Sequence, residues 1–307
     1  MSIEICSIFI YNKVMCEVLL KVEDLSMKYF GGNWGVKVAS FSLNANEHMV
    51  LLGKSLSGKT SLLRAIAGLE KYNGNISFSK DVSKNLAFSF DLNSLPKHDK
   101  VYDVLAYPLI IRKENNIDEI VKAQAKKYKL NNILDCKVNK ISQDYKKILL
   151  LARCMIRQND LYLIDNPLKD MDEKLRQEIF EIFLLDSKDK CVIYSTDNYL
   201  EAIKMNCKIA IMAYSQLIQF DTLDNLTSKP KNRMVLENLG HNEYIIGKLI
   251  KKEEKFYAQI ENEYINVLEP ICDIFINKEI LLIINNNIIR NDIYFDKDTD
   301  YLICKME

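Results

Sequence analysis

The sequence lacks any hydrophobic run of the roughly 18 to 20 residues that a membrane-spanning helix needs. We therefore expect any role at a membrane to be performed from beside it. The apolar stretch IEICSIFIY near the start is short and has neither a basic lead-in nor a small-residue cleavage site, so it does not match a secretory signal peptide. Met15, just ahead of the first convincing strand, is an alternative start of translation.

An excess of charge of one sign is also lacking. The 307 residues include 42 Lys and Arg and 42 Asp and Glu, and this balance gives no reason to expect nucleic acid or anionic lipid as a partner. The 8 cysteines include no CxxC pair, and they form no cluster with the 3 histidines at zinc-ligand spacing. We expect them to be small buried side chains in a reducing cytosol.

What the sequence does have is an alternation of strand and helix patterns. Short β-branched runs such as HMVLLG, DLYLID and CVIYST predict buried strands, and segments such as TSLLRAIAGLE predict helices. Over the first two thirds of the chain this order is typical of an α/β fold with a mostly parallel sheet. Residues from about 92 to 158 are mainly helical in pattern and predict an inserted helical subdomain.

The pattern changes near residue 240 to short alternating strands, among them EYIIGKLI, KFYAQI and EILLII. Such strands predict a separate small β-barrel. The expected organisation is an extension over residues 1–14, a main domain over 15–238 and a small β domain over 239–307.

Residues 53–60 read GKSLSGKT and match the phosphate-binding pattern G-x-x-x-x-G-K-[ST] between a predicted strand and a predicted helix. Backbone N–H groups of such a loop, and the start of the helix after it, attract phosphate oxygens. We expect Lys59 to contact the β- and γ-phosphates of a nucleotide and the Thr60 hydroxyl to bind Mg²⁺. The predicted nucleotide-binding set in this loop is Gly53, Lys54, Ser55, Ser57, Gly58, Lys59, Thr60 and Ser61.

A carboxylate at the end of a buried strand is the second element of such a site. Asp165 ends the run DLYLID, and its carboxylate would hold Mg²⁺ directly or through water. A strand that ends in aspartate is common in α/β proteins, so without the loop at residues 53–60 a purely structural role would be an equally good interpretation.

Taken in order, these segments resemble the ATP-binding subunits of ABC importers of the sugar, polyamine and iron types. The resemblance covers about residues 17–240 and includes MKYFGG, LLRAIAGLEKYNGNISF, VYDVLAYPLIIRK and IDNPLKDMDEKLR. It implies a P-loop NTPase fold of the ABC type with an inserted helical subdomain, followed by a small β-barrel of the OB or TOBE type. It also implies that Tyr29 stacks on adenine and that Asp172 lies in the D-loop, with a strand-end tyrosine and a helix-cap aspartate as the alternatives.

The resemblance fails at residues that would carry out hydrolysis. Directly after Asp165 the family places a glutamate that polarises the attacking water, and this chain has Asn166. An amide cannot act as a general base, and loss of such a group commonly costs about 10²- to 10⁴-fold in rate. The family's switch histidine corresponds to Asp197, whose negative charge would repel phosphate.

Two further positions depart from the family. Asp91 stands where a glutamine ligates Mg²⁺ and senses the transport partner, and a carboxylate there could keep the metal contact. ISQDY at residues 141–145 replaces the signature sequence LSGGQ, so that Ser142 is kept while Gln143 and Asp144 replace glycines that permit close approach to phosphate. Within the phosphate loop, Leu56 also replaces a usual glycine. The predicted Mg²⁺ ligands, acting with the nucleotide, are Thr60, Asp165 and Asp91.

The resemblance implies a subunit that binds ATP and Mg²⁺ at the cytoplasmic face of the membrane, on transmembrane permease subunits, with an extracytoplasmic solute-binding protein as an indirect partner. The departures at four places, namely Asp91, Gln143/Asp144, Asn166 and Asp197, predict that its own hydrolysis is weak or lost. They favour an asymmetric pair with another ABC ATPase subunit over a homodimer. Two alternatives stay open, namely an active ATPase that energises import of a small solute, and a non-catalytic scaffold or regulator with a relict nucleotide site.

Overall fold

A computed structural model describes most of the chain. The described residues are 18–79, 82, 85–90, 92–240, 244–252, 255–260, 263–267, 279–283, 293–296 and 301–305. The predicted extension over residues 1–14 and the predicted metal ligand Asp91 lie outside them.

Nine of the described strands form one sheet in the order β4-β1-β2-β9-β8-β3-β7-β6-β5. The adjacent strands β8, β3, β7, β6 and β5 run parallel, whereas β1, β2 and β4 pair antiparallel at one side. The α/β fold with a largely parallel sheet is therefore confirmed. The strands are β1 (Val18–Lys28), β2 (Trp34–Asn44), β3 (His48–Leu52), β4 (Asn73–Phe78), β5 (Leu86–Ser89), β6 (Leu161–Asp165), β7 (Val192–Thr196), β8 (Lys208–Ala213) and β9 (Gln216–Asp221).

The central strands β3, β6 and β7 are buried on both faces of the sheet, as their nearly continuous apolar sequences predict. Side chains along β3 alternate between two hydrophobic cores, with Val50 and Leu52 in one core and Met49 and Leu51 in the other. Successive side chains of a strand point to opposite faces. The central strands thus pack against a hydrophobic core on each face, and the loops that follow them extend from a rigid part of the fold.

Helices cover the two faces of the sheet. Three of them, α2 to α4, lie between β5 and β6 in the chain, inside the stretch that the sequence predicts to be a helical subdomain. None of the helices in the described ranges has both the length and the apolar character of a membrane span. The helices are α1 (Lys59–Ile66), α2 (Val101–Ile111), α3 (Ile117–Lys127), α4 (Gln143–Met155), α5 (Glu173–Ser187), α6 (Tyr199–Lys204), α7 (Leu223–Ser228) and α8 (Arg233–Asn238).

A second sheet follows after residue 240, with the order β12-β11-β10-β13-β15-β14 among the described strands. The change to short strands is where the sequence places it, whereas closure into a barrel and the domain bounds stay predictions. The strands are β10 (Tyr244–Lys252), β11 (Lys255–Ile260), β12 (Glu263–Val267), β13 (Glu279–Ile283), β14 (Ile293–Asp296) and β15 (Tyr301–Lys305).

A buried carboxylate ties together the segments that follow two central strands. Glu201, on α6, accepts a hydrogen bond from Arg176 Nε of α5 at 2.8 Å. Its other oxygen accepts from the Tyr194 hydroxyl at 3.1 Å and from Thr196 Oγ1 at 2.6 Å, both on β7. Burial, and then the neighbouring Glu201 carboxylate, raise the pKa of Tyr194 well above its ordinary value, so this hydroxyl stays a donor.

Removing this carboxylate should destabilise the fold. We expect Glu201→Ala to lower the free energy of unfolding by about 3 kcal/mol, because the partly buried Arg176 would lose its main partner. Glu181→Ala is the matched control, since its pair with Lys204 is solvent-exposed and should contribute less than about 1 kcal/mol. Urea unfolding followed by circular dichroism measures both values, and equal losses in the two variants would contradict the interpretation.

Candidate functional site

The candidate site lies at the carboxyl ends of three neighbouring parallel strands, β3, β6 and β7. The strand β7 pairs with β3 on one side and with β6 on the other. Parallel strands end at the same edge of a sheet, and ligands of open α/β sheets bind there. Gly53, Asp165 and Thr196 therefore come together at this edge although they are far apart in sequence.

The loop at residues 53–60 folds so tightly that two of its positions admit only glycine. A Cβ added at Gly53 would lie 2.3 Å from the Met212 carbonyl oxygen. Gly58 has a φ of +101°, in the left-handed region, and a Cβ there would lie 2.6 Å from the Gly35 carbonyl oxygen. The two glycines of the motif thus allow the backbone to turn directly into α1.

Lys59, the first residue of α1, points back into this loop. Its Nζ donates to the Gly53 carbonyl at 2.5 Å, to the Lys54 carbonyl at 2.9 Å and to Ser57 Oγ at 3.3 Å. Burial lowers the pKa of Lys59, and the nearby Asp197 and Asp165 carboxylates oppose that effect. The loop therefore holds a buried, hydrogen-bonded amine at its centre, as phosphate binding requires.

Asp165 links three segments at the strand ends. Its Oδ2 accepts from Thr60 Oγ1 at 2.7 Å, and its Oδ1 accepts from Ser195 Oγ at 2.5 Å. Ser195 in turn accepts from the Asn166 backbone N–H, through its carbonyl at 2.9 Å and through its hydroxyl at 3.0 Å. The adjoining hydroxyl and carboxylate oxygens of Thr60 and Asp165 are hard ligands that suit Mg²⁺ held jointly with phosphate.

A cleft of about 630 Å³ opens beside these groups. It is lined by the phosphate loop, by the end of β6 and by the first turns of α4, including the ammonium-bearing Lys59, Lys147 and Lys169. Among the described residues that line it there is neither a glutamate nor a histidine. The cleft thus combines cations with a metal-binding pair, and the carboxylates of its described lining are those of Asp165 and Asp170.

Two of the positions at which the sequence departs from a hydrolytic site are Asn166, which lines this cleft, and Asp197, which is electrostatically coupled to Lys59. Asn166 directly follows Asp165, with a φ of +42°, and its amide side chain cannot take up a proton at neutral pH. Asp197 is exposed just past the end of β7 and acts on the charge of Lys59. The structure thus places an amide and a carboxylate near the loop.

The predicted adenine-stacking residue is fixed by a hydrogen bond. The Tyr29 hydroxyl lies 2.9 Å from Ser61 Oγ on α1, and 42% of the tyrosine remains exposed. The neighbouring Phe30, which the sequence analysis did not single out, is fully exposed just past the end of β1. Stacking by Tyr29 stays a prediction, and Phe30 is a second aromatic candidate with a free face.

The signature-like segment begins α4. Ser142 is the N-cap of this helix, and its Oγ accepts from the Tyr145 backbone N–H at 3.3 Å. Gln143 is exposed at the first helical position, and Asp144 lies 3.6 Å from Lys147 Nζ. The serine hydroxyl is therefore used within its own helix, and part of the negative charge at Asp144 is offset by a lysine one turn later.

Two other predicted residues have visible local roles. Asp172 is the N-cap of α5, where its carboxylate accepts from the Leu175 backbone N–H at 3.1 Å. This contact is the helix-cap alternative stated for it, and a D-loop role stays a prediction. The Lys54 side chain is exposed, with its Nζ 4.0 Å from Glu237, so only the backbone carbonyl of Lys54 takes part in the interior of the loop.

The sequence analysis missed a pair of lysines that connect the cleft's walls. Lys169 Nζ donates to Ser55 Oγ at 3.1 Å, and Lys147 Nζ donates to the Lys169 carbonyl. Each lysine stands four residues after a position that the analysis did single out, Gln143 or Asp165. Only the folded chain brings both next to the phosphate loop.

Comparisons with known proteins agree with this geometry. A family model described as ABC transporter matches residues 36–169. A solved structure described as an ATP-binding subunit of an ABC transporter superposes with a TM-score of 0.61 over 69% of this chain and 92% of that chain. At 19% identity, this likeness shows the fold alone.

Curated relatives are ATP-binding proteins of import systems. The trehalose/maltose import protein MalK of Thermococcus litoralis is 32% identical over 69% of this chain and 62% of its own length. The sn-glycerol-3-phosphate import protein UgpC of Vibrio vulnificus is 30% identical, over 72% and 63%. The spermidine/putrescine import protein PotA of Borreliella afzelii is 29% identical, over 78% and 72%.

This chain thus spans somewhat less than two thirds of the length of the MalK and UgpC relatives. The matched region contains the phosphate loop, the helices between β5 and β6, and Asp165. With the loop geometry, these sequence matches show that residues 36–169 of the chain are a domain of the ABC transporter family.

Proposed function

We propose that this chain is the ATP-binding subunit of an ABC importer, and that it holds ATP and Mg²⁺ in the cleft beside residues 53–60 while hydrolysing ATP weakly or not at all on its own. The observation that carries the proposal is the junction of Thr60 with Asp165 beside the buried Lys59, in a cleft whose described lining contains neither glutamate nor histidine. The site is equipped to bind a metal-bound triphosphate and poorly equipped to activate water.

Binding follows from groups that already occupy suitable places. The Lys59 ammonium now donates hydrogen bonds to the Gly53 and Lys54 carbonyls. On nucleotide binding it would donate to the β- and γ-phosphates instead, and hydrogen bonds to charged acceptors are stronger than those to neutral ones. The start of α1 and the backbone N–H groups of the loop add donors directed at phosphate. The Thr60 hydroxyl and the Asp165 carboxylate would hold Mg²⁺, which would supply positive charge to neutralise the phosphates.

Weak hydrolysis follows from the groups around that metal-binding pair. Asn166 offers an amide where a carboxylate would polarise water, and Asp197 adds negative charge where a donor to phosphate is needed. We infer that turnover in the assembled system is supplied mainly by a second ABC ATPase subunit, with this chain as the degenerate member of an asymmetric pair.

The role in import rests on the relatives, which are described as import ATP-binding proteins for a disaccharide, a phosphorylated polyol and a polyamine. By this likeness, the partners of the chain are transmembrane permease subunits, contacted at the cytoplasmic face of the membrane, and indirectly an extracytoplasmic solute-binding protein. The three relatives differ in solute, so the solute of this chain is not proposed.

Nucleotide binding is the first test. We expect the purified full-length chain to bind a fluorescent ATP analogue saturably and in a Mg²⁺-dependent manner, and Lys59→Ala to weaken binding by at least about tenfold through loss of a charge-assisted contact. Lys126→Ala, at an exposed position on α3, is the matched control. Absence of saturable binding in the unsubstituted chain would favour a scaffold with a relict site.

Turnover is the second test. Phosphate release by the purified chain with ATP and Mg²⁺ should stay near the level of the Lys59→Ala variant, because an amide, that of Asn166, stands where the family has its general base. Asn166→Gln, which keeps an amide at this position, should leave that low rate unchanged. Vigorous release that Lys59→Ala abolishes would mean that the chain is an active ATPase by itself.

Leu56, which replaces a usual glycine of the loop, has an unfavourable backbone conformation. Its φ is +66°, in the left-handed region, and its side chain is 98% exposed at the edge of the cleft. A non-glycine residue in this region costs roughly 1 to 2 kcal/mol. The side chain gains little from burial in return, so the loop keeps its shape despite this residue.

Glycine at this position should therefore be tolerated. We expect Leu56→Gly to leave the free energy of unfolding unchanged or to raise it by up to about 1 kcal/mol, and to preserve ATP binding. Leu185→Gly is the matched control, because Leu185 is equally apolar and 79% exposed but lies within α5, where glycine should cost about 1 kcal/mol. Urea unfolding compares the two, and equal losses would refute backbone strain at Leu56.

A further inference from the structure

Lys169 reaches the phosphate loop from a distant part of the chain. Its Nζ donates to Ser55 Oγ at 3.1 Å, across 114 positions of sequence. Lys147 Nζ, from α4, donates to the carbonyl of Lys169, so the residue is held at both its backbone and its side chain. This double attachment places an ammonium group at the mouth of the loop.

The charge of Lys169 is unbalanced within the part of the chain that the structure describes. Its Nζ contacts a neutral hydroxyl there, and no described carboxylate lies within ion-pair distance of it. It also lies close enough to Lys59 to contribute to the lowered pKa of that amine. Two ammonium groups that share one cleft repel each other, and an anion bound between them relieves the repulsion.

The direction from which Lys169 approaches indicates which part of an anion it would meet. It follows Asp165 by four residues, on the segment that leaves the end of β6 beside the Thr60–Asp165 pair, which would hold Mg²⁺ together with the terminal phosphates. Lys59 Nζ contacts the Lys54 carbonyl, and Lys169 Nζ contacts the hydroxyl of the next residue, Ser55. Both amines thus lie at the same turn of the loop, where a terminal phosphate held by that turn would meet both.

We propose that Lys169 is a second ammonium donor to the terminal phosphate of the bound nucleoside triphosphate, and that it makes the site prefer a triphosphate over a diphosphate. This inference rests on the proposed function and extends that function by naming a residue that distinguishes the ATP-bound state from the ADP-bound state. It also assigns a source of positive charge to a cleft that is lined by the Asp165 and Asp170 carboxylates.

Lys169 could instead serve only to hold Ser55, and the two roles differ in a measurable way. A residue that merely shapes the loop affects tri- and diphosphate binding equally, since both nucleotides use the loop. A donor to the terminal phosphate affects the triphosphate alone. The ratio of the two dissociation constants is therefore the decisive quantity.

The experiment titrates the full-length chain with ATP and with ADP, each with Mg²⁺, by isothermal calorimetry. We expect Lys169→Met to weaken ATP binding about tenfold while changing ADP binding less than about twofold, as loss of one charge-assisted contact predicts. Lys169→Arg, which keeps the charge, should retain most of the preference. Lys126→Met, at the exposed α3 position, should leave both constants unchanged.

Two results would overturn the inference, and they can be told apart. An unchanged ratio of ATP to ADP affinity in Lys169→Met, with normal binding by the unsubstituted chain, refutes the role of Lys169 and leaves the proposed function standing. Failure of the unsubstituted chain to bind either nucleotide refutes the proposed function and the inference with it. Circular dichroism of Lys169→Met, whose side chain is exposed, confirms that the variant is folded.

Discussion

The arrangement of the candidate site depends on one carboxylate, that of Asp165. Its two oxygens accept from Thr60 and from Ser195, so the helix after β3 and the end of β7 are joined through the end of β6. The parallel pairing of these three strands brings their ends to one edge, and these hydrogen bonds set their relative positions at atomic scale. The groups that would bind a nucleotide and its metal ion are therefore already in position before the nucleotide enters the cleft.

Much of this architecture follows from local sequence patterns. Continuous apolar strands bounded by turn residues predict a sheet buried on both faces, and the alternation of Met49, Val50, Leu51 and Leu52 between two cores is the packing that such strands require. The glycines of residues 53–60 are also predictable, because their spacing reflects close backbone approaches that leave no room for a Cβ. The family and the fold class could be recognised on these grounds.

The details of the site could not be predicted from local patterns, because they depend on the direction of side chains in the folded chain. Two adjacent aromatics, Tyr29 and Phe30, look equivalent in sequence, but one is bonded to Ser61 and the other is free. Likewise, Ser142 matches a signature serine by position, whereas its hydroxyl caps its own helix. The contact between Lys169 and Ser55 has no local signal, since it joins residues 114 positions apart.

The hydrogen bond from Lys147 to the Lys169 carbonyl has a mechanical consequence. Lys147 belongs to α4, which is part of the helical segment between β5 and β6, whereas Lys169 belongs to the segment that leaves the central sheet. The two parts are therefore linked at the cleft by a flexible side chain and not by backbone alone. A rotation of α4 against the sheet would either break this hydrogen bond or move the Lys169 segment, so the position of α4 is coupled to the position of a cation beside the phosphate loop.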